Sequence, residues 1–355
     1  MVYDDLENCL VKHYIEKAKM KSPYVIWTYW ESRVKGFDTV EESKPSHIRL
    51  CNETMWKHCS DDFLLAEMTR DRFIRMMKLI ILDRNVNFNM QLRQVARESL
   101  GGFFQLEKDG VDVTQKSDLI RISLLTIFGG IWSDSDIIFL TSPASVLSGI
   151  QKFSSSLSAT DSSERLVSRV EFVSFGCYGE NECRHIKNGK TAHSAPANWF
   201  MVAMFPGTRT FLVAHNHIQA LLAETSQSHS RNEKHLSYHS LGTNLWETVY
   251  RNEPDLLKRS VHANSSGVER DHDGNKFTNA RLLGTDEALT SLEFTNFEIP
   301  EVPDRYIPKT RFILPMYNTA PGFAVWFHML SEEEILQGPY LISKIYRQAL
   351  SVSVK

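Results

Sequence analysis

Long apolar runs, paired cysteines and a strong excess of either charge are what this sequence lacks, and each absence closes off a class of function. No stretch of its 355 residues approaches the apolar length of a bilayer span, and the opening Met1-Val2-Tyr3-Asp4-Asp5 is acidic, unlike a secretory leader. This predicts a soluble, cytoplasmic protein without a membrane-spanning segment, in which the N-x-S/T triplets at Asn52 and Asn264 carry little meaning. The cysteines are five (Cys9, Cys51, Cys59, Cys177, Cys183), an odd number with no C-x-x-C pair, which argues against a structural zinc or a disulfide framework and for reduced thiols. A net charge of −3 gives no support for a nucleic-acid partner. Several familiar motifs are missing too. His235 and His239 stand four apart, but Leu236 occupies the place of a zincin glutamate. Asn188-Gly189-Lys190-Thr191 resembles the end of a phosphate loop, yet Arg184 stands where the upstream glycine is needed, and His215-Asn216-His217 reads as helix surface.

What is present is an ordinary globular composition, 42% hydrophobic with 11% aromatic residues, enough for one large α/β domain or two smaller ones. Residues 3–20 carry a helical pattern that Pro23 ends. Tyr24 to Trp30, aromatic and β-branched, predicts a buried first strand, and Phe63 to Met68 a second. Pro45 opens a helix through Cys59, and 70–82 form another with Phe73, Met77 and Ile80 on one face. A helix capped by Thr114 or Ser117 runs to Phe128, where Gly129 stops it, and a strand follows. The serine-rich 151–165 reads as a loop, 171–175 as a strand, 199–204 as an apolar segment, 209–224 as a helix, and 262–280 as a polar, irregular excursion. Alternating strands and helices argue for an α/β fold with a mainly parallel sheet, whose ligands bind beyond the carboxyl ends of the strands.

The densest information lies in Ser117-Asp118-Leu119-Ile120-Arg121 and Phe128-Gly129-Gly130-Ile131-Trp132-Ser133-Asp134-Ser135-Asp136. Asp118 and Arg121 share a helix face, and Asp134 and Asp136 bracket Ser135 at a strand end. Ionised carboxylates are poor core material, so two in such an apolar context suggest oxygen ligands for a hard divalent cation. Each pair alone has a plain alternative: a surface ion pair worth about half a kcal/mol or less, and a solvated strand end.

On these residues the sequence resembles the DXD-containing sugar transferases of the capsular polysaccharide synthesis type and the related initiating mannosyltransferases. The block from Ser117 to Asp136 carries their S-D-x-x-R, G-G and D-x-D elements. Val25 to Glu31 is similar to their first strand, and Asn198 to Ala203 with Pro206-Gly207 to a segment before an acceptor-side helix. The likeness covers most of 23–220. It implies a GT-A, Rossmann-like α/β fold in a single catalytic domain over 1–355, with an N-terminal helix in 1–22, a nucleotide-sugar-binding half in 23–145, an acceptor-side half in 146–330 and a helical tail in 331–355. It also implies a UDP- or GDP-linked sugar donor, an oligosaccharide or glycan acceptor, a Mn²⁺ or Mg²⁺ ion, and retention of anomeric configuration in polysaccharide or glycan synthesis.

By that resemblance Asp118 and Arg121 hold donor-sugar hydroxyls, Asp136 contacts the metal directly, and Asp134 reaches it through water or touches the ribose as well, with Ser135 between them in the donor site. His328, set among apolar neighbours where a core histidine is equally common, is the candidate third ligand. Trp27, which reads equally as core, is placed to stack on the base, with backbone near Thr28 reading its edge. Asn198 and Trp199 face the sugar or the acceptor. Two other readings stay open: a D-x-D phosphatase or phosphotransferase with Asp134 as nucleophile, and a non-catalytic glycan-binding protein on a transferase fold.

Overall fold

The computed structural model describes residues 24–31, 44–82, 90–144, 147–148, 170–175, 196, 198–228, 236, 240–263, 268–270, 276–278, 313–315, 329–338 and 341–351. The helix read over 3–20, the serine-rich loop and His328 lie outside them.

The chain enters on β1 (Val25–Tyr29), all five of whose residues are buried, as a strand covered on both faces requires. Helix α1 (Ser46–Cys59) starts after Pro45, followed by β2 (Leu64–Met68), α2 (Arg70–Leu82) and α3 (Met90–Lys108). Helix α4 (Val113–Phe128) then leads into β3 (Gly130–Ser133) and β4 (Ile137–Phe139). Strands β5 (Phe172–Phe175) and β6 (Phe200–Ala203) precede α5 (Arg209–Ser228) and α6 (Thr243–Asn252), and β7 (Ser260–Ala263) follows. The later described elements are β8 (Val268–Arg270), β9 (Lys276–Thr278), β10 (Ile313–Pro315), α7 (Glu332–Gln337) and α8 (Leu341–Leu350).

Six strands form the central sheet in the order β2-β1-β3-β6-β5-β7. The pairings β1–β2, β1–β3 and β5–β7 are parallel, and β6 alone runs against its neighbours β3 and β5. The sheet is therefore mixed, with one reversed strand inside a parallel frame. Its two faces sort by alternation. Val25, Trp27 and Tyr29 pack with α2 to α6, while Ile26, Ile131, Phe200 and Val202 pack with Met55 and Cys59 of α1. A second, two-stranded sheet pairs β4 antiparallel with β10, Ile137 opposite Pro315 and Phe139 opposite Ile313.

Three sequence expectations need correcting. The cap of α4 is Asp112, whose side chain accepts from Thr114 N, rather than Thr114 or Ser117. Part of the excursion at 262–280 is ordered, since β7 extends into it and β8 pairs with β9 as a hairpin. His215 is wholly buried inside α5, not on its surface, with Nε2 3.0 Å from Ser99 Oγ of α3. Helix α3 itself had no counterpart in the sequence reading.

Candidate active site

Helix α4 is buried on nearly all sides among the described residues. Its hydroxyls find partners along the helix itself, Ser123 Oγ donating to Leu119 O and Thr126 Oγ1 to Ile122 O. Two charges at its centre cannot be satisfied that way. Asp118 and Arg121 are 2% and 3% exposed, so they are no surface ion pair.

Arg121 resolves its charge by bridging. Its Nη1 lies 3.1 Å from Asp118 Oδ1, and its Nη2 donates to Asp134 Oδ1 at 2.9 Å. Trp132 Nε1 donates to the same Asp134 oxygen at 2.7 Å, and the Trp132 ring lies 5.0 Å under the guanidinium carbon. The sequence-distant Asp118–Arg121 pair and Asp134 thus meet in one cluster, with Asp136 two residues on in the same turn.

The route from α4 to Asp134 depends on Gly129 and Gly130, both at positive φ (70° and 94°). A Cβ on Gly130 would stand 2.6 Å from Val25 Cγ1 and 2.7 Å from Val25 O, so only glycine lets β3 start against β1. Gly129 O accepts from Trp27 Nε1 at 2.9 Å. Trp27 is fully buried and packs against Phe128, so it offers no face to a base and the stacking role read from the sequence is withdrawn. Thr28 is buried too, and its backbone stands in register with Glu67 of β2.

Asp134, Ser135 and Asp136 form the turn by which the chain leaves the central sheet and enters the β4–β10 sheet. All three are partly exposed, and Asp134 keeps 31% of its side-chain surface in solvent. Asp134 N donates to Trp199 O, which fixes the turn to the residue before β6. Asn198, next to it, donates a side-chain hydrogen bond to Asp118. Trp199 is buried and meets the cluster through its backbone carbonyl, whereas Asn198 reaches it with its side chain. Gly242, just ahead of α6, lies against both Asn198 and Asp118, and sequence reading missed it. Its one signal was a glycine before an amphipathic helix, which describes many helix starts.

Three carboxyls here face one guanidinium, and the imbalance shows in their acidity. Burial pushes Asp118 up to about 6, with Arg121 opposing the rise. Asp136 is raised above the usual carboxylate range by lost hydration and then by the Asp134 carboxylate. Asp134 is raised by lost hydration and held back by Arg121 and the Trp132 indole. Arg121 Nε has no hydrogen-bond partner among the described residues, and its approach to Asp118 Oδ1 lacks hydrogen-bond alignment. Unneutralised carboxylates and idle guanidinium donors are what a site for a divalent cation and a hydroxyl-rich ligand would contain. Among the described residues no set of three or more His, Cys, Asp and Glu gathers as a metal shell.

An α/β frame thus brings a D-x-x-R pair beside a D-x-D turn, and two family models recognise the segments that carry them. Residues 8–153 match the family described as glycosyltransferase sugar-binding region containing DXD motif, and residues 103–246 match the family capsular polysaccharide synthesis protein. Both matches include Asp118, Arg121, Asp134 and Asp136. They show the resemblance read from those residues and support a transferase acting in polysaccharide synthesis. Among curated proteins none matches the sequence. A solved structure titled PaToxG Glycosyltransferase is similar at 14% identity over 70% of this chain and 79% of that one, with a TM-score of 0.38, a likeness that carries no conclusion of its own. No helix among the described residues is long and apolar enough to cross a membrane.

Proposed function

We propose that this protein is a metal-dependent glycosyltransferase of the GT-A kind, moving a sugar from a UDP- or GDP-linked donor to a glycan hydroxyl with retention of anomeric configuration. The observation that carries this reading is the Arg121 bridge, a buried guanidinium shared by Asp118 and Asp134 beside a partly exposed acidic turn. In this reading Asp118 accepts from donor-sugar hydroxyls, and the unused Arg121 N–H groups donate to a sugar hydroxyl or the diphosphate. Asp134 and Asp136 would hold Mn²⁺ or Mg²⁺, with Ser135 and Asn198 lining the donor site. When bound, such an ion stabilises negative charge on a diphosphate leaving group. Retention by front-face attack needs no protein base, because the departing phosphate oxygen takes the acceptor's proton.

A thermal-shift screen of nucleotide sugars with and without Mn²⁺ tests the proposal, since a ligand that binds only the folded state raises the melting temperature. One donor should stabilise the protein in a Mn²⁺-dependent way. Asp136→Ala should lose that shift and reduce both transfer and donor hydrolysis by at least about 100-fold. Wild-type turnover in Asp136→Ala, or no Mn²⁺-dependent shift with any nucleotide sugar, would sink it.

A further inference from the structure

Gly242 sits where a side chain would touch the cluster first. The three atoms nearest to a Cβ built there all belong to the site: Asn198 Nδ2 at 2.6 Å, Asp118 Oδ2 at 3.1 Å and Asp118 Oδ1 at 3.5 Å. The first distance is one that real Cβ atoms essentially never show. The φ of Gly242 is −101°, so glycine is called for here by space and not by a left-handed backbone. Asp118 is held from two sides, by the Asn198 amide and by the Arg121 guanidinium, and the second grip is shared with Asp134. A methyl group at 242 would push the amide off the carboxylate, free Asp118 to turn, and loosen the guanidinium that also steadies the acidic turn.

We propose that Gly242 is a positioning residue for sugar transfer: bare backbone before α6 lets Asn198 reach Asp118 and keeps that carboxylate aimed at the donor sugar. The inference rests on the reading of the Asp118 cluster as the donor site. Its sequence context, Ser240-Leu241-Gly242-Thr243-Asn244, carries no charged group, and its own carbonyl accepts from Leu245 N at 3.2 Å at the start of α6.

The test is a double-mutant cycle over Gly242→Ala and Asn198→Ala, read in donor hydrolysis and in melting temperature. Gly242→Ala should lower kcat/KM for the donor by at least about tenfold, mainly through KM, because a small misplacement of a binding group is costly. In the Asn198→Ala background the same change should alter kcat/KM by less than about threefold, since residues acting through one contact are not additive. A purely structural role would lower the melting temperature equally in both backgrounds and leave the donor KM of the folded protein unchanged. That result, or wild-type kcat/KM in Gly242→Ala, overturns the inference. Should Gly242→Ala fail to fold, the double variant decides: the inference requires it to fold, and an unfolded double variant refutes it. If wild-type protein turns over no nucleotide sugar, the sugar-transfer reading fails. The coupling of 198 and 242 is then decided by the four melting temperatures alone.

Discussion

At 3% exposure, Arg121 keeps its charge between Asp118 and Asp134 in surroundings that would penalise any of the three alone. Replacing it with methionine keeps the bulk and removes the charge, leaving two carboxylates short of their cation. Arg121→Met is expected to lower stability by roughly 3 kcal/mol near neutral pH, read from urea midpoints. The Asp118 carboxyl, at about 6, lies above its unfolded value, so its contribution to stability is full at low pH and lost as pH rises through 6. Without Arg121 that loss deepens, and the gap between variant and wild type should widen above pH 6. His215 works in the opposite sense. Burial lowers it to about 4, with Glu98 opposing. Its contribution is therefore present above the ordinary histidine value and disappears as pH falls from about 6.5 through 4, on the order of 3 kcal/mol in all. His215→Gln should show a shallower loss of urea midpoint over that interval, and an unchanged slope would contradict the assignment.

Among elements, the joint from α4 through Gly129 and Gly130 into β3 governs the site, because it sets where Asp134 emerges relative to Asp118. Gly130→Ala adds a Cβ at a φ of 94° against the Val25 backbone, and it should cost upwards of about 2 kcal/mol or prevent soluble expression. The helix, its glycine stop and the strand beyond were legible because each has a local cause. The cap was misread because Asp112, Thr114 and Ser117 are all good caps, and only the geometry distinguishes them. The β8–β9 hairpin was hidden by the same polar residues that suggested an irregular excursion. The burial of His215 was hidden as well, since a histidine in helical spacing looks alike on a wet face and against α3.

On the scale of the whole molecule, segments far apart in sequence are tied together next to the strand that follows the acidic turn. Phe139 N of β4 donates to Thr54 Oγ1 of α1 at 2.9 Å. Tyr346 of α8 donates its hydroxyl to His47 O at 3.0 Å and meets Cys51 Sγ at 3.1 Å, both on α1. Tyr346→Phe removes a second donor from the His47 carbonyl and the hydroxyl beside Cys51 Sγ, and it should lower stability by about 1 kcal/mol, measurable as a drop in melting temperature. Chemistry written along short stretches settled much in advance: the residue types of the cluster, the amphipathic helices and the buried first strand all follow from local propensity and spacing. The reversed direction of β6, the pairing of β4 with β10, the choice between core and base platform for Trp27 and the approach of Gly242 to Asp118 came only with folding. Each of these joins segments distant in the chain, where packing and the need to satisfy buried polar groups choose among partners that are locally equivalent.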